Sequence, residues 1–312
     1  MGSFLSNLLI VTGQVGTLFL LMGVGFLLAK LGKLTSDTLP QLSFILLYVV
    51  TPCIIIDSLQ VDYDPAILHD LFFSFVLTFL SYVIITLLCQ CFFRRQSPDQ
   101  RDTLRFAVIF GNTGFMGFPL MSAIFGEESL IYAMPVFVAF NLGVWTYGVY
   151  LMGGRANFSL KKVILSAPIL SILIALPLFF LEIRLPAAIG DTIGFLADLN
   201  TPLAMVVIGA QMAAADLPAT FRNTRLYTSA VLRLVVAPIL TILLLLPFKL
   251  EAVSFVSVVI LAGVPTAGVT AMFAEQFDRD KDGAAQVVTL STLLSILTLP
   301  VVAVAAECIA GL

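Results

Sequence analysis

Charged residues are scarce in this chain of 312 residues. They account for 11% of it, whereas hydrophobic residues account for 60% and the mean hydropathy is +1.07. A soluble domain carries roughly a quarter charged residues, so this composition does not supply an ordinary water-facing surface. Apolar runs of about 20 residues recur along the chain, each long enough to cross roughly 30 Å of hydrocarbon as a helix. The sequence predicts an all-α, polytopic membrane protein, and its net charge of −3 gives no indication of a nucleic-acid partner.

The sequence also lacks the motifs of several chemistries. It has one histidine and four cysteines; His69 lies in a polar loop, and no second cluster completes a metal site with Cys89 and Cys91. It contains no serine nucleophile elbow and no Walker-type phosphate loop. We therefore predict no enzyme activity, no metal and no ATP-driven pump within this chain.

Ten apolar segments are predicted as transmembrane helices. The connections between them are short, so no soluble domain is inserted. The approximate ranges of the spans are 7–30, 38–58, 66–92, 103–125, 129–152, 160–181, 187–212, 225–247, 252–275 and 284–309.

The basic residues alternate between the two sides of these spans. Odd-numbered loops hold thirteen of the sixteen Lys and Arg residues, whereas even-numbered loops hold only Arg184 and Lys249. The positive-inside rule therefore places the odd loops in the cytoplasm and both termini outside. We expect a multi-pass protein of the plasma or cytoplasmic membrane with both termini extracytoplasmic.

An internal repeat divides the chain into residues 1–155 and 156–312. Thr51-Pro52 in the second span is matched 150 positions later by Thr201-Pro202 in the seventh. The stretch GNTGFMGFP, from Gly111 to Pro119, interrupts the fourth span, and GVPTAG interrupts the ninth about 150 residues later. Because each half contains five spans, the second half enters the membrane from the opposite side. The predicted architecture is two inverted five-helix repeats with broken crossover helices 4 and 9, as in many secondary transporters.

The residue types at these interruptions favour unwound backbone. Proline lacks an N–H and clashes with the carbonyl one turn earlier, and each glycine costs about 1 kcal/mol in a helix interior. The residues that we assign to the helix breaks are Gly111, Gly117, Pro119, Pro265 and Gly268. Facing breaks would present helix N-termini, each with free N–H donors and about half a positive charge, which suits an anion. The alternative is that the prolines only kink two helices for packing.

The predicted substrate-binding residues surround the breaks. They are Asn112, Thr113, Gly114, Asn141, Arg233, Gly263 and Thr266. Asn112 and Thr113 would supply side-chain dipoles, while Asn141 either lines the cavity or forms a hydrogen bond between helices. Arg233 in the eighth span either binds the anion or snorkels to the cytoplasmic interface.

Three further polar residues are candidates for ion coupling. Asp57 and Asp198 flank the two Thr-Pro sites, and a desolvated carboxyl group can carry a coupling proton. Gln211 lies in the seventh span, where an interhelical hydrogen bond is the alternative. We predict no cofactor beyond a coupling proton or sodium ion, with the proton preferred because intramembrane carboxylates are present.

The fourth-span motif resembles that of a known family. Asn112-Thr113-Gly114-Phe115-Met116-Gly117-Phe118-Pro119 is similar to the N-T-x-x-M-G-x-P motif of the auxin efflux carrier family, which includes plant auxin carriers and bacterial malonate or malate permeases. The short loops resemble the bacterial members. The resemblance implies a scaffold of helices 1, 2, 6 and 7, and a transport domain of helices 3–5 and 8–10 that slides like an elevator. It also implies that Asn112 contacts a substrate carboxylate at the crossover and that Pro265 is the second crossover proline.

Two functions from different classes remain open. The first is a secondary active transporter of a small organic anion, either a dicarboxylate or an indole-type carboxylate. The second is a membrane sensor or receptor that binds such a ligand without moving it. The direction of transport is open, as is the oligomeric state, for which a homodimer through the scaffold helices is one arrangement.

Overall fold

A computed structural model describes residues 2–35, 37–61, 67–157 and 159–312. Throughout these ranges the regular elements are helices, and no strand is formed. The prediction of an all-α fold is therefore confirmed for the described residues.

The first eight α-helices precede residue 158. They are α1 (Gly2–Lys30), α2 (Leu39–Ile45), α3 (Thr51–Ser58), α4 (Leu68–Cys89), α5 (Pro98–Ile109), α6 (Phe118–Phe125), α7 (Leu130–Gly143) and α8 (Val149–Asn157). Wider, π-helical turns join α2 to α3, lead into α6 and join α7 to α8; they span Leu46–Val50, Thr113–Gly117 and Val144–Gly148.

Ten α-helices follow residue 158. They are α9 (Leu160–Ile164), α10 (Ala167–Phe180), α11 (Ala187–Ala197), α12 (Asn200–Ala214), α13 (Leu217–Arg222), α14 (Thr224–Val231), α15 (Ala237–Leu245), α16 (Ala252–Gly263), α17 (Val269–Gln276) and α18 (Lys281–Ala310). A further π-helical turn, Leu232–Val236, joins α14 to α15.

Three of these four π-helical turns end just before a proline. Pro52, Pro119 and Pro238 each occupy the second position of the α-helix that follows. Proline cannot donate to the carbonyl one turn earlier and pushes against it, and a single wider turn absorbs this defect. At the first of these turns the Thr51 hydroxyl donates to the carbonyl of Leu46 at 2.8 Å. These prolines therefore widen a helix without ending it.

Seven helical segments are long and apolar enough to cross a membrane. They are Thr12–Lys30, Leu39–Ser58, Leu68–Cys89, Leu130–Arg155, Ala187–Ala214, Thr224–Phe248 and Lys281–Ala310. Three shorter apolar helices, Thr113–Phe125, Ala167–Phe180 and Ala252–Gly263, fall within the predicted spans four, six and nine. Among the described residues, seven segments rather than ten thus have spanning length, because helix ends divide the other three predicted ranges.

Helices α1 and α12 approach each other to backbone contact. A Cβ atom added to Gly25 would lie 2.0 Å from the carbonyl oxygen of Val206, and one added to Gly209 would lie 1.9 Å from that of Met22. Small residues allow membrane helices to pack this closely, and no residue larger than glycine fits at either position. Two of the helices assigned to the scaffold are therefore held tightly together across the two halves of the sequence.

Candidate functional site

Two non-helical segments lie inside the protein where the sequence predicts helix breaks. The first, gap 1 (residues 110–112), separates α5 from the π-helical turn before α6. The second, gap 2 (residues 264–268), separates α16 from α17. Phe110 has φ −105° and ψ 108°, and Val264 has φ −64° and ψ 152°, so both gaps begin with extended backbone.

The two gaps cross in antiparallel orientation and pair with each other. The N–H of Asn112 donates to the carbonyl of Pro265 at 2.7 Å, and the N–H of Ala267 donates to the carbonyl of Phe110 at 3.0 Å. Irregular backbone within a membrane is tolerated only where protein or water satisfies its polar groups. Each gap therefore satisfies some of the backbone hydrogen-bonding groups of the other, although the two gaps are more than 150 residues apart in sequence.

Arg233 holds the carbonyl ends of the helices that lead into both gaps. Its side chain is 2% exposed. The acceptors of its guanidinium N–H groups are the carbonyl oxygens of Val108 (3.3 Å), Ile109 (3.2 Å), Leu261 (3.4 Å), Ala262 (2.7 Å) and Val264 (2.9 Å). A guanidinium has five N–H donors, so five acceptors match its full capacity. Because Arg233 is buried, it does not snorkel to the cytoplasmic interface.

The helix dipoles explain how this cation is tolerated. Each helix C-terminus carries about half a negative charge, and α5 and α16 together offer about one. That charge balances the guanidinium through backbone carbonyls alone. The opposite ends of the two gaps, where the π-helical turn Thr113–Gly117 and α17 begin, are left with the positive N-terminal charge.

A cavity of about 30 Å³ lies beside the crossing, on the side where the π-helical turn Thr113–Gly117 and α17 begin. Its lining includes Asn112, Gly114 and Phe115 from the first break and Ala267, Gly268 and Val269 from the second. The N–H groups of a first helical turn have no intrahelical acceptor, so two such turns meet at one cavity. Ligand pockets usually measure roughly 300–1,000 Å³, so this cavity is too small for a substrate and must widen to admit one.

Two amides and several aromatic rings complete the lining. Asn112 and Asn141 are both 3% exposed, and the amide of Asn141 donates to the carbonyl of Phe137 in its own helix at 2.9 Å. Thr51, Phe137, Phe140 and Trp145 also border the cavity. No charged side chain of the described residues contributes to the lining, so backbone N–H groups and amides supply its polarity.

Not every predicted substrate-binding residue reaches this cavity. Asn112, Gly114 and Asn141 line it, and so does the break residue Gly268. Thr113 is 1% exposed and its hydroxyl has no hydrogen-bond partner among the described residues. The Thr266 hydroxyl instead donates to the carbonyl of Ala107 at 3.0 Å.

The remaining glycines of the prediction lie at tight packing positions. A Cβ on Gly263 would lie 2.8 Å from Val302, and one on Gly117 would lie 2.1 Å from Leu261. A Cβ on Gly111 would lie 2.3 Å from the guanidinium of Arg233. These three glycines allow helices or a side chain to approach and do not border the cavity.

Trp145 is a cavity residue that the sequence reasoning missed. It is the only tryptophan of the chain, and it packs edge-to-face against Phe273, with ring centroids 5.7 Å apart. It also borders a second cleft of about 420 Å³ near Ser159 and Gln276, beside loops predicted to be cytoplasmic. A signal was present: Trp145 follows Asn141 by four residues and so shares its helix face.

Asp57 and Asp198 border one cleft of about 340 Å³, near the loops predicted to be extracytoplasmic. Asn200 also borders it, and its amide nitrogen donates to the carbonyl of Gly114 at 3.2 Å. The amide oxygen of Asn200 is buried and has no partner within the described part of the chain. Asn200 therefore links this outer cleft to the central cavity.

Gln211 does not join the two aspartates. A Cβ added to Gly268 would lie 3.7 Å from its Oε1, which places Gln211 beside gap 2. This oxygen is buried without a hydrogen-bond partner in the described ranges. Of the three candidates for ion coupling, only Asp57 and Asp198 lie in the outer cleft.

Comparisons with known proteins agree on one family. The family model described as "Membrane transport protein" matches residues 10–161 and 156–303. An "Uncharacterized transporter" of Methanothermobacter thermautotrophicus is 26% identical over 295 residues, which cover 93% of this chain and 96% of the relative. A "Putative malonate transporter" of Rhizobium meliloti is 24% identical over 92% of this chain and 93% of its own length. An "Uncharacterized transporter" of Methanocaldococcus jannaschii is 22% identical over 90% and 94%.

Proposed function

Since this chain belongs to the membrane transport protein family, we propose that it is a secondary active transporter of a small organic anion. Its resemblance to the auxin efflux carrier family is confirmed by the same match. The chain is a multi-pass membrane protein of a transporter family, so the prediction that it is not an enzyme is also confirmed. The observation that carries our proposal is the shared lining of one cavity by the π-helical turn Thr113–Gly117 and by the start of α17.

Electrostatics favours a carboxylate at that cavity. Two helix N-termini contribute about half a positive charge each, so together they match one negative charge. The amide of Asn112 lies between them as a side-chain donor. Because Arg233 is engaged with carbonyl groups on the opposite side of the crossing, we propose that the carboxylate is held by N–H groups and Asn112 without Arg233.

The helix arrangement supports transport by alternating access. We propose ten transmembrane helices in two inverted repeats, with the gaps as breaks in helices 4 and 9. The close contact of α1 and α12 fits a rigid scaffold, against which helices 3–5 and 8–10 slide. Clefts of about 340 Å³ and 420 Å³ lie near loops predicted to be on opposite sides, with the small cavity between them. We also propose extracytoplasmic termini and a homodimer through the scaffold helices.

A coupling ion would bind in the outer cleft. We propose that a proton, or else a sodium ion, binds at Asp57 and Asp198, because both carboxylates border the same cleft. The link from Asn200 to Gly114 offers a contact through which that occupancy reaches the substrate cavity. Gln211 is set apart from this proposal because it lies beside gap 2.

The proposed substrate class is a small carboxylate, and malonate is the first compound to test. The name of the Rhizobium meliloti relative mentions malonate, and the cavity offers donors for one carboxylate group. The aromatic lining, with Phe115 and Trp145, would contact the rest of the molecule. Indole-type carboxylates are therefore the second class to test.

Counterflow into proteoliposomes tests the proposal. Protein reconstituted with internal unlabelled malonate should take up labelled malonate with saturation, and Asn112→Ala should reduce this uptake at least tenfold. Asn223→Ala is the matched control, since Asn223 caps α14 and does not line the cavity. Saturable binding of carboxylates without any flux would instead favour a sensor.

A further inference from the structure

We propose that Arg233 is a positioning residue that ties the end of α5, which leads into gap 1, to gap 2 from the carbonyl side and so aligns the π-helical turn Thr113–Gly117 and the first turn of α17 at the cavity. The sequence offered it two roles, a substrate ligand or a snorkelling cation, and the contacts favour neither. The substrate readout below rests on the proposed function, whereas the structural readout does not.

The contacts of Arg233 join three elements. The side chain projects from the π-helical turn Leu232–Val236 and reaches the last carbonyls of α5 and of α16. It also donates to Val264, the first residue of gap 2. Besides the hydrogen bonds between the two gaps, the guanidinium thus holds gap 2 directly and holds gap 1 through the end of α5.

Gly111 is the counterpart that makes room for this guanidinium. A Cβ at residue 111 would lie 2.3 Å from Nη2 and 2.6 Å from Cζ of Arg233. Gly111 is not among the glycines with positive φ, so its backbone conformation is open to other residues. The need for glycine at this position therefore comes from the close approach of Arg233.

The space beside the guanidinium argues against direct substrate contact. The cavity that Arg233 shares with Thr78 and Tyr82 measures about 10 Å³. A single water needs about 10–15 Å³ of such space, so a carboxylate does not fit there. Together with the fully used donors, this leaves Arg233 to act through the backbone that it holds.

Lysine cannot reproduce the arrangement. An ammonium group has three donors on one atom, whereas the five acceptors belong to two helices and one gap. Arg233→Lys therefore keeps the positive charge but loses the hydrogen bonds that join α5, α16 and gap 2. Gly111→Ala keeps the arginine and displaces it, so the two variants disturb the same contact from opposite sides.

Hydrogen exchange measured by mass spectrometry on the purified, ligand-free protein tests this role. In Arg233→Lys and in Gly111→Ala, peptides that cover gap 1 and gap 2 should exchange at least tenfold faster than in the wild type, because the amides of Asn112 and Ala267 lose their fixed acceptors. Arg225→Lys on α14 and Gly190→Ala on α11 are the matched controls; Gly190 has no neighbour within 4 Å of an added Cβ. Both controls should exchange like the wild type.

Malonate affinity, read from the fluorescence of Trp145, is the second measurement. The affinity should fall at least tenfold in each single variant. In the double variant it should fall no more than about twofold further, because the two substitutions break the same contact. Unchanged exchange in the gaps together with a loss of affinity would overturn the proposal and make Arg233 a direct ligand. Additive losses in the double variant would also overturn it.

Failure of the proposed function would look different. If the wild type binds no carboxylate but exchange in the gaps still rises in both variants, Arg233 positions the gaps and the substrate assignment is wrong. If Arg233→Lys does not fold, Gly111→Ala still decides, since it retains the native arginine. Wild-type exchange in Gly111→Ala would then contradict the proposal.

Discussion

Replacing Asn112 by aspartate places a carboxylate where we expect the substrate carboxylate to bind. The two side chains have nearly the same shape, so Asn112→Asp changes charge and donor capacity with little effect on packing. Two carboxylates about 4 Å apart repel by about 4 kcal/mol at an effective dielectric constant of about 20, which corresponds to roughly a thousandfold loss of affinity. The introduced carboxylate also competes for the N–H groups of the π-helical turn Thr113–Gly117 and of the first turn of α17.

Asn112→Ala should have a smaller effect. It removes one hydrogen bond to a charged acceptor, which contributes about 1.5–3 kcal/mol, or about a 10- to 150-fold loss of affinity. Malonate affinity should therefore decrease from the wild type to Asn112→Ala and again to Asn112→Asp. This order distinguishes an anion site from a site that only requires the shape of Asn112. At a site for a neutral or cationic ligand, the affinity of Asn112→Asp would not be lower than that of Asn112→Ala.

Trp145 provides the assay, since it is the only tryptophan and borders the same cavity. Its fluorescence is followed during titration with malonate, and a thermal melt checks that each variant is folded. Lowering the pH neutralises the introduced carboxyl group, so binding to Asn112→Asp should recover partly in acid. Asn223→Asp, at the exposed start of α14, is the control for an added charge. An affinity of Asn112→Asp within threefold of the wild type would refute the reasoning.

Three further predictions concern packing, coupling and orientation. Gly209→Val should lower the melting temperature by several degrees, because even a Cβ there would lie 1.9 Å from a backbone oxygen of α1. Gly16→Val is the control and should leave the melting temperature unchanged, since an added Cβ at Gly16 has no neighbour within 4 Å. Equal melting temperatures of the two variants would contradict the close packing of α1 and α12. Asp198→Asn should reduce gradient-driven uptake at least tenfold and leave counterflow within threefold, whereas full gradient-driven uptake would remove Asp198 from coupling. Cys91 and Cys308 are both exposed, so an impermeant maleimide on intact cells should label Cys308 and reach Cys91 only after permeabilisation; the reverse pattern would contradict the predicted orientation.

The positions of the gaps could be predicted because their signals are local. Gly111 lies in gap 1, and Pro265 and Gly268 lie in gap 2; both residue types disfavour a helix. Pro119, by contrast, lies within α6. The pairing of Asn112 with Pro265 is a long-range backbone contact, and only the internal repeat indicated that the two segments meet. Local residue types thus give the places of the breaks, and the fold gives their partners.

The contacts of Arg233 could not be predicted from residue types. Its acceptors are backbone carbonyls, which every residue carries, so no pattern of side chains marks them. The two roles expected for Arg233, anion binding and snorkelling, followed from the cost of an intramembrane cation, which should face protein, water or a partner. Here that partner is the carbonyl ends of two helices, which exist only because both helices stop beside Arg233.

The lengths of the shorter apolar helices were overestimated for a related reason. Hydropathy follows the apolar run, and the run continues through gap 2, so the ninth span was predicted from residue 252 to 275 although α16 ends at Gly263. The fourth span, predicted from residue 103 to 125 with an interruption from Gly111, is divided in the same way, because α5 ends at Ile109. Composition therefore located the apolar segments, and the lengths of the helices within them depend on contacts made by the folded chain.

The central claim is that the π-helical turn Thr113–Gly117 and the first turn of α17, with Asn112, bind a carboxylate. Solid-state NMR on ¹⁵N-labelled protein in lipid, with ¹³C-carboxylate-labelled malonate, measures this contact directly. We predict a carboxyl carbon within about 4 Å of the Asn112 side-chain nitrogen and of backbone nitrogens near Gly268, as expected for N–H···O hydrogen bonds. A carboxyl carbon close to the Arg233 guanidinium instead, or close to no nitrogen of either break, would contradict it.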